Sequence, residues 1–123
     1  MTDMTMDNFL AVLSSSEPVP GGGGACGYVA AVGMSLGNMV LALTTGKKKY
    51  AEYQEEIEEL IVKATDLTKR LAECMDKDAE SFKPLAAAYG LPKDTEEQIK
   101  EREAIMAKAL VTASEAPLSM MEL

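Results

Sequence analysis

The 123-residue chain has no histidine and no tryptophan, and aromatic residues make up only 5% of it. Without histidine the chain lacks the usual acid/base group at neutral pH, the usual metal ligand and every histidine-dependent triad. Cysteine is nearly absent too. Cys26 and Cys74 stand far apart with no C-x-x-C pair, so neither a zinc site nor a redox motif is signalled. Both read as small buried hydrophobes in a reducing compartment. Positive charge is also short, with 12 Lys and Arg against 20 Asp and Glu and a net charge of −8. No basic surplus exists to neutralise phosphates, which argues against nucleic acid as a partner. The N-terminus "MTDMTMD" is acidic rather than basic, so no signal peptide is visible and the expected location is cytoplasmic.

What the chain has instead is small and apolar. Its composition is 47% hydrophobic and 26% charged, a globular balance, and the scarcity of aromatics beside plentiful alanine and methionine favours close-packed helices over a sheet. Four glycines in succession, Gly21 to Gly24, follow Pro20. Gly22, Gly24 and Gly27 spell G-x-G-x-x-G, yet the preceding "MDNFLAVLSSS" has helical spacing rather than strand alternation. About 20 residues on, where a dinucleotide site needs an acid, stands "TTGKKKY". Gly46-Lys47 fails as a P-loop, with Leu41 at the first glycine position and Lys48 where Ser or Thr is required. By its residues alone the run reads either as a tight corner between two helices or as a bare turn that a flat ligand can approach.

Four helical segments are expected. The first covers about residues 5–15 and ends in "SSSEPVP". The second covers about 24–45, and no charged residue occurs from Pro18 to Gly46, so this helix is expected to be buried on every side. A membrane span is the alternative: the stretch is long enough, contains Gly33-x-x-x-Gly37 and ends in Lys47, Lys48 and Lys49. Ser35, Asn38, Thr44 and Thr45 and the lack of a second apolar span weigh against it, so no membrane partner is expected.

The third segment, about 47–89, carries a seam. Tyr50, Tyr53, Ile57, Leu60, Ala64, Leu67, Leu71 and Cys74 fall at alternating steps of three and four, and a further step of four lands on Asp78. Pro84 is expected to kink or end this helix. "YGLPKDTEE" is a turn, with Asp94 or Thr95 capping the fourth helix and Glu97 or Gln98 placed for a capping box. On that helix Ile99, Met106, Ala109 and Ala113 form a similar seam, interrupted by Arg102. Asp78 and Arg102 form either a half-buried ion pair or a ligand site lined by both. "EAPLSMMEL" reads as a further helix start with Pro117 in its first turn, broken off after six residues.

Taken together, "FLAVLSSSEPVPGGGG", "MVLALTTGKKKY", "DKDAESF" and "YGLPKDTEEQIKEREAIMAKALVTASEAPL" resemble the cyclodeaminase/cyclohydrolase family of folate enzymes. That family includes the cyclodeaminase half of formiminotransferase-cyclodeaminase and stand-alone bacterial methenyltetrahydrofolate cyclohydrolases. The resemblance covers nearly the whole chain. It implies an all-α antiparallel helical bundle, with the glycine/alanine-rich helix buried at its centre. It also implies a homodimer and one domain over residues 1–123, incomplete at its C-terminus.

The implied activity is hydrolysis of 5,10-methenyltetrahydrofolate to 10-formyltetrahydrofolate. The alternative is formiminotetrahydrofolate cyclodeaminase activity, and an alternative of another class is a non-catalytic helical dimerisation module. The substrate is a tetrahydrofolate derivative, and no metal or separate cofactor is implied. The resemblance places the folate beside the turn of Pro20, Gly21, Gly22, Gly23 and Gly24. Proton chemistry is then expected at Asp78 with Arg102, Lys47 and Lys48 gripping the anionic glutamate tail, and Tyr50 stacking on the ligand. Tyr53, like Tyr50, also reads as core. The chain departs from the family pattern at Gly24, where serine is usual, at Ala42, where asparagine is frequent, and at Pro84.

Overall fold

The computed structural model describes residues 1–123 and is all-helical, with four α-helices and no strand. Helix α1 spans Met6–Leu13 and starts where the Thr5 side chain accepts the Asn8 amide at 3.2 Å, an N-cap. It rests on the next helix through Phe9, whose ring lies 5.7 Å from that of Tyr28. Helix α2 spans Gly22–Thr44. Gly46, at φ 77°, turns the chain out of it, the left-handed conformation that glycine adopts without strain. A short 3-10 segment, Lys48–Tyr53, leads into α3, Gln54–Tyr89, and α4 spans Glu96–Met121.

The α3–α4 turn follows its sequence chemistry. Thr95 accepts the Gln98 amide at 3.1 Å, and the Gln98 side chain accepts the Thr95 amide at 3.2 Å, closing a capping box. Beyond it, Leu85, Ala88 and Ala109 form a buried cluster covered by Phe82, Leu91, Met106 and Ala113. The α2–α3 contact is built from smaller groups. Gly24, Gly27 and Ala31 are the buried residues of α2, and Ile57, Ala64, Leu71, Cys74 and Met75 are among those of α3. A methyl group on Gly27 would sit 3.1 Å from the Leu71 carbonyl oxygen, so the two backbones approach as closely as glycine allows.

Several expectations give way here. Helix α2 is not buried on every side. Val29, Val32, Leu36, Met39, Val40 and Leu43 are each about half exposed or more, because α3 covers one face and nothing in the chain covers the other. It remains one helix long and apolar enough to cross a membrane by length and composition. Cys74 is buried, but Cys26 is exposed, since it lies off the face that Gly24, Gly27 and Ala31 turn to α3. Tyr50 and Tyr53 are not core: both sit in the 3-10 segment, where the seam's helical register has not begun, and both are exposed. Leu60 and Ile99 are exposed as well, so each seam is narrower than its spacing suggests.

Neither proline ends a helix. Pro84 lies within α3, which continues to Tyr89, and Pro117 lies within α4, which runs on to Met121. Each removes one backbone hydrogen bond, and packing on the neighbouring helix holds the remainder. The residues around Pro117 are therefore the last turns of α4 and not the start of a fifth helix.

Candidate functional site

Helix α2 begins without a side-chain cap, because Gly21 has none to offer. Its first amides need acceptors. One acceptor arrives from α3: Asp78 Oδ2 accepts the Gly24 amide at 2.9 Å, across 54 residues of sequence. Asp78 stands where the α3 stripe of Leu71, Cys74 and Met75 comes opposite the glycine run, so the interruption of the stripe is a carboxylate placed on a helix N-terminus. The partial positive charge there favours an anionic side chain. Pro20 and Gly24 are buried, Gly21, Gly23 and Asp78 are half-buried, and Gly22 is exposed. The structure thus brings the glycine turn and Asp78 into one site.

It does not bring the other expected residues there. Arg102 forms no ion pair with Asp78, and its Nε is buried without a hydrogen-bond partner. It lines a small cavity with Leu91, Pro92, Gln98, Glu101 and Ile105, beside the α3–α4 turn. Tyr89, the last residue of α3, is 11 residues past Asp78, which at 1.5 Å per residue puts that end of the helix about 16 Å from Asp78 along the axis. Lys47, Lys48 and Tyr50 lie beyond the other end of α2, whose 23 residues span about 34 Å. Lys47 and Lys48 border a shallow surface recess with Gly46, Ala51 and Gln54. Lys49 sits over the Tyr50 ring at 5.5 Å, a cation–π contact that leaves the ring facing solvent.

Two cavities flank the Asp78 region. An apolar one of about 250 Å³ lies under α1, walled by Phe9, Leu13, Ala25, Tyr28 and Met75 among others. It adjoins the turn through Ala25 and Met75, the latter with its backbone beside Gly24. The larger one, about 610 Å³, opens on the neighbouring face of α3 and carries Arg70, Cys74, Lys77 and Ser81 against Ala116 and Ser119 of α4. Arg70 and Lys77 are cations that sequence reasoning passed over. Their signal was available, since residues 70, 74, 77 and 81 repeat the steps of four, three and four that mark one helical face. No group of three or more His, Cys, Asp or Glu side chains is arranged to hold a metal ion.

Residues 5–123 match the family described as Formiminotransferase-cyclodeaminase. The chain belongs to this family. It is 42% identical over 115 residues to Methenyltetrahydrofolate cyclohydrolase of Methylorubrum extorquens, which is 94% of this chain and 55% of that protein. It is 32% identical over 123 residues to Formimidoyltransferase-cyclodeaminase of Dictyostelium discoideum, covering all of this chain and 22% of that protein. The mouse protein of the same name is 28% identical over 122 residues, 99% of this chain and 23% of its own length. The chain therefore spans about half of the first relative and under a quarter of the others. The family match takes in the glycine turn, Asp78 and Arg102 alike.

Proposed function

We propose that this member of the formiminotransferase-cyclodeaminase family acts in folate one-carbon metabolism, hydrolysing 5,10-methenyltetrahydrofolate to 10-formyltetrahydrofolate. The observation that carries the reading is the Asp78 carboxylate held on the Gly24 amide at the glycine turn, in a chain 42% identical to a protein named for that reaction. The methenyl carbon is cationic, so a nearby carboxylate stabilises it electrostatically. Water adds to that carbon and loses a proton, for which Asp78 is the acceptor. The neutral adduct then breaks its bond to N5 as the hydroxyl proton passes to N5. The 10-formyl group remains, and one proton is released overall.

The names of the longer relatives favour a second reading, cyclodeaminase activity. There N10 attacks the formimino carbon and ammonia leaves, a step that also moves a proton. Both reactions proceed on side chains alone. For the anionic glutamate tail, Arg70 and Lys77 lie on α3 within two and a half turns of Asp78, while Lys47 and Lys48 are a helix length away within one chain. Arg102 is likewise outside reach of Asp78 in the same chain.

The functional unit we infer is a cytoplasmic homodimer of antiparallel helices, with residues 1–123 forming one domain. The bare face of α2, with Val29, Val32, Leu36 and Val40, supports a second copy as its cover.

The test is the loss of near-ultraviolet absorbance of methenyltetrahydrofolate on adding the purified chain. Accelerated loss that falls by about 100-fold or more in Asp78→Asn, with helicity retained, is expected of an acid/base residue. No acceleration by the unaltered chain turns the assignment toward the cyclodeaminase or a helical module without chemistry. Full activity in the variant removes Asp78 from it.

A further inference from the structure

The four glycines of the turn are not equivalent. A methyl group built on Gly22 meets nothing within 4 Å, and one on Gly21 meets only the Pro18 carbonyl oxygen at 3.7 Å and Asp78 Oδ2 at 3.9 Å. On Gly24 it would make ordinary contacts, 3.5 Å from Asp78 Oδ2 and 3.6 Å from Met75. That is room enough for a Cβ at this place. On Gly23 it would lie 2.7 Å from Asp78 Oδ1 and 3.0 Å from Oδ2 and Cγ, inside the carboxylate. Backbone strain is not the reason, since Gly46 is the one glycine in the chain with positive φ.

We propose that Gly23 is a positioning residue for Asp78, its missing side chain being the space the carboxylate occupies. Oδ2 is committed to the Gly24 amide, and a proton carried by the carboxyl group sits on Oδ1, the oxygen without a hydrogen-bond partner. Any side chain at position 23 turns the carboxylate off the Gly24 amide. The short Asp78 side chain is what moves, because the three atoms nearest a Cβ at position 23 all belong to its carboxylate and none is backbone. This rests on the reading of Asp78 as the proton carrier.

The experiment compares the unaltered chain with Gly22→Ala, Gly23→Ala and Asp78→Asn, following the Gly24 amide by ¹H–¹⁵N spectroscopy beside turnover of methenyltetrahydrofolate. Gly22→Ala is expected to keep the Gly24 shift. Gly23→Ala is expected to move the Gly24 shift to its position in Asp78→Asn and to lower kcat by about 100-fold with KM little changed.

A Gly24 shift unchanged in Gly23→Ala overturns the proposal, whether or not the chain turns over substrate. A displaced shift with full turnover upholds the positioning and overturns the catalytic role of Asp78, so the two failures are separable. Should Gly23→Ala fail to fold, the Gly23→Ala/Asp78→Ala pair removes the collision. Recovery of folding in that pair supports the proposal, and its absence overturns it.

Discussion

The closeness of α2 to α3 at Gly27 can be tested by a single methyl group. Gly27→Ala has two opposed effects. Alanine is favoured over glycine inside a helix by about 1 kcal/mol. Against this, the new Cβ would lie 2.9 Å from Met120 Cε, 3.3 Å from Met120 Sδ and 3.1 Å from the Leu71 carbonyl oxygen. The methionine tip can swing aside, but the carbonyl belongs to the α3 backbone and yields only if the helices part by a few tenths of an ångström. Overpacking of this kind costs about 1–3 kcal/mol. The net expectation is destabilisation by about 1 kcal/mol, a fall in Tm of about 3–5 °C for a chain of this length. Thermal unfolding followed by far-ultraviolet circular dichroism measures it, with Gly22→Ala as the control that meets no neighbour and stays within about 0.5 kcal/mol. A Gly27→Ala variant more stable than the unaltered chain would falsify the close approach of the two helices.

Three further outcomes are expected. Thr95→Ala removes the acceptor of the Gln98 amide and opens the capping box, so the chain loses about 1 kcal/mol of stability and the first turn of α4 exchanges its amide hydrogens faster. The Met1 ammonium donates to Asp76 Oδ1 at 2.9 Å, and that bond holds its pKa above the ordinary value of 8.0. Its contribution is therefore full below about pH 8 and is lost as pH rises through the higher folded value. Tm measured from pH 7 upward should fall more in the unaltered chain than in Asp76→Asn, and identical slopes would refute the tie. Leu36→Glu on the bare face of α2 should convert the proposed dimer to monomer while leaving helicity unchanged, and an unaltered sedimentation coefficient would remove α2 from the proposed interface.

The amphipathic half of the fold was legible because its pattern has a direction. Along α3 the three-and-four spacing separates one face from the rest, and Asp78 stood out because it broke that spacing. Its partner was not legible, since nothing in residues 21–24 states which segment 54 positions away will meet them. Helix α2 misled for the opposite reason. A run without any charged residue has no polar face to compare, so it reads as buried all round whether or not the chain has enough other helices to bury it. Lys47 and Lys48 follow α2 closely in sequence, yet a helix of 23 residues carries its two ends about 34 Å apart. Arg102 and Asp78 both interrupt apolar stripes, but spacing within a helix carries no information on register between helices. Pro117 reads as a beginning because proline favours first turns; in α4 it forfeits one backbone bond, and packing on the neighbouring helix holds the turns around it.

The tie between Gly24 and Asp78 also sets an order of events during synthesis. Helix α2 leaves the ribosome before α3 does, and the residues that meet its start, Met75 and Asp78, emerge about 50 residues after it. At 5–20 residues per second that interval is about 3–10 s. Throughout it, an uncharged apolar helix with an uncapped first turn has neither its packing face covered nor its amide accepted. Slow translation between Thr44 and Met75 therefore lengthens the period in which this chain is open to aggregation. Charged substitutions on the exposed side of α2 should raise the soluble yield more than equal changes on α4, which emerges after its packing partner is already complete.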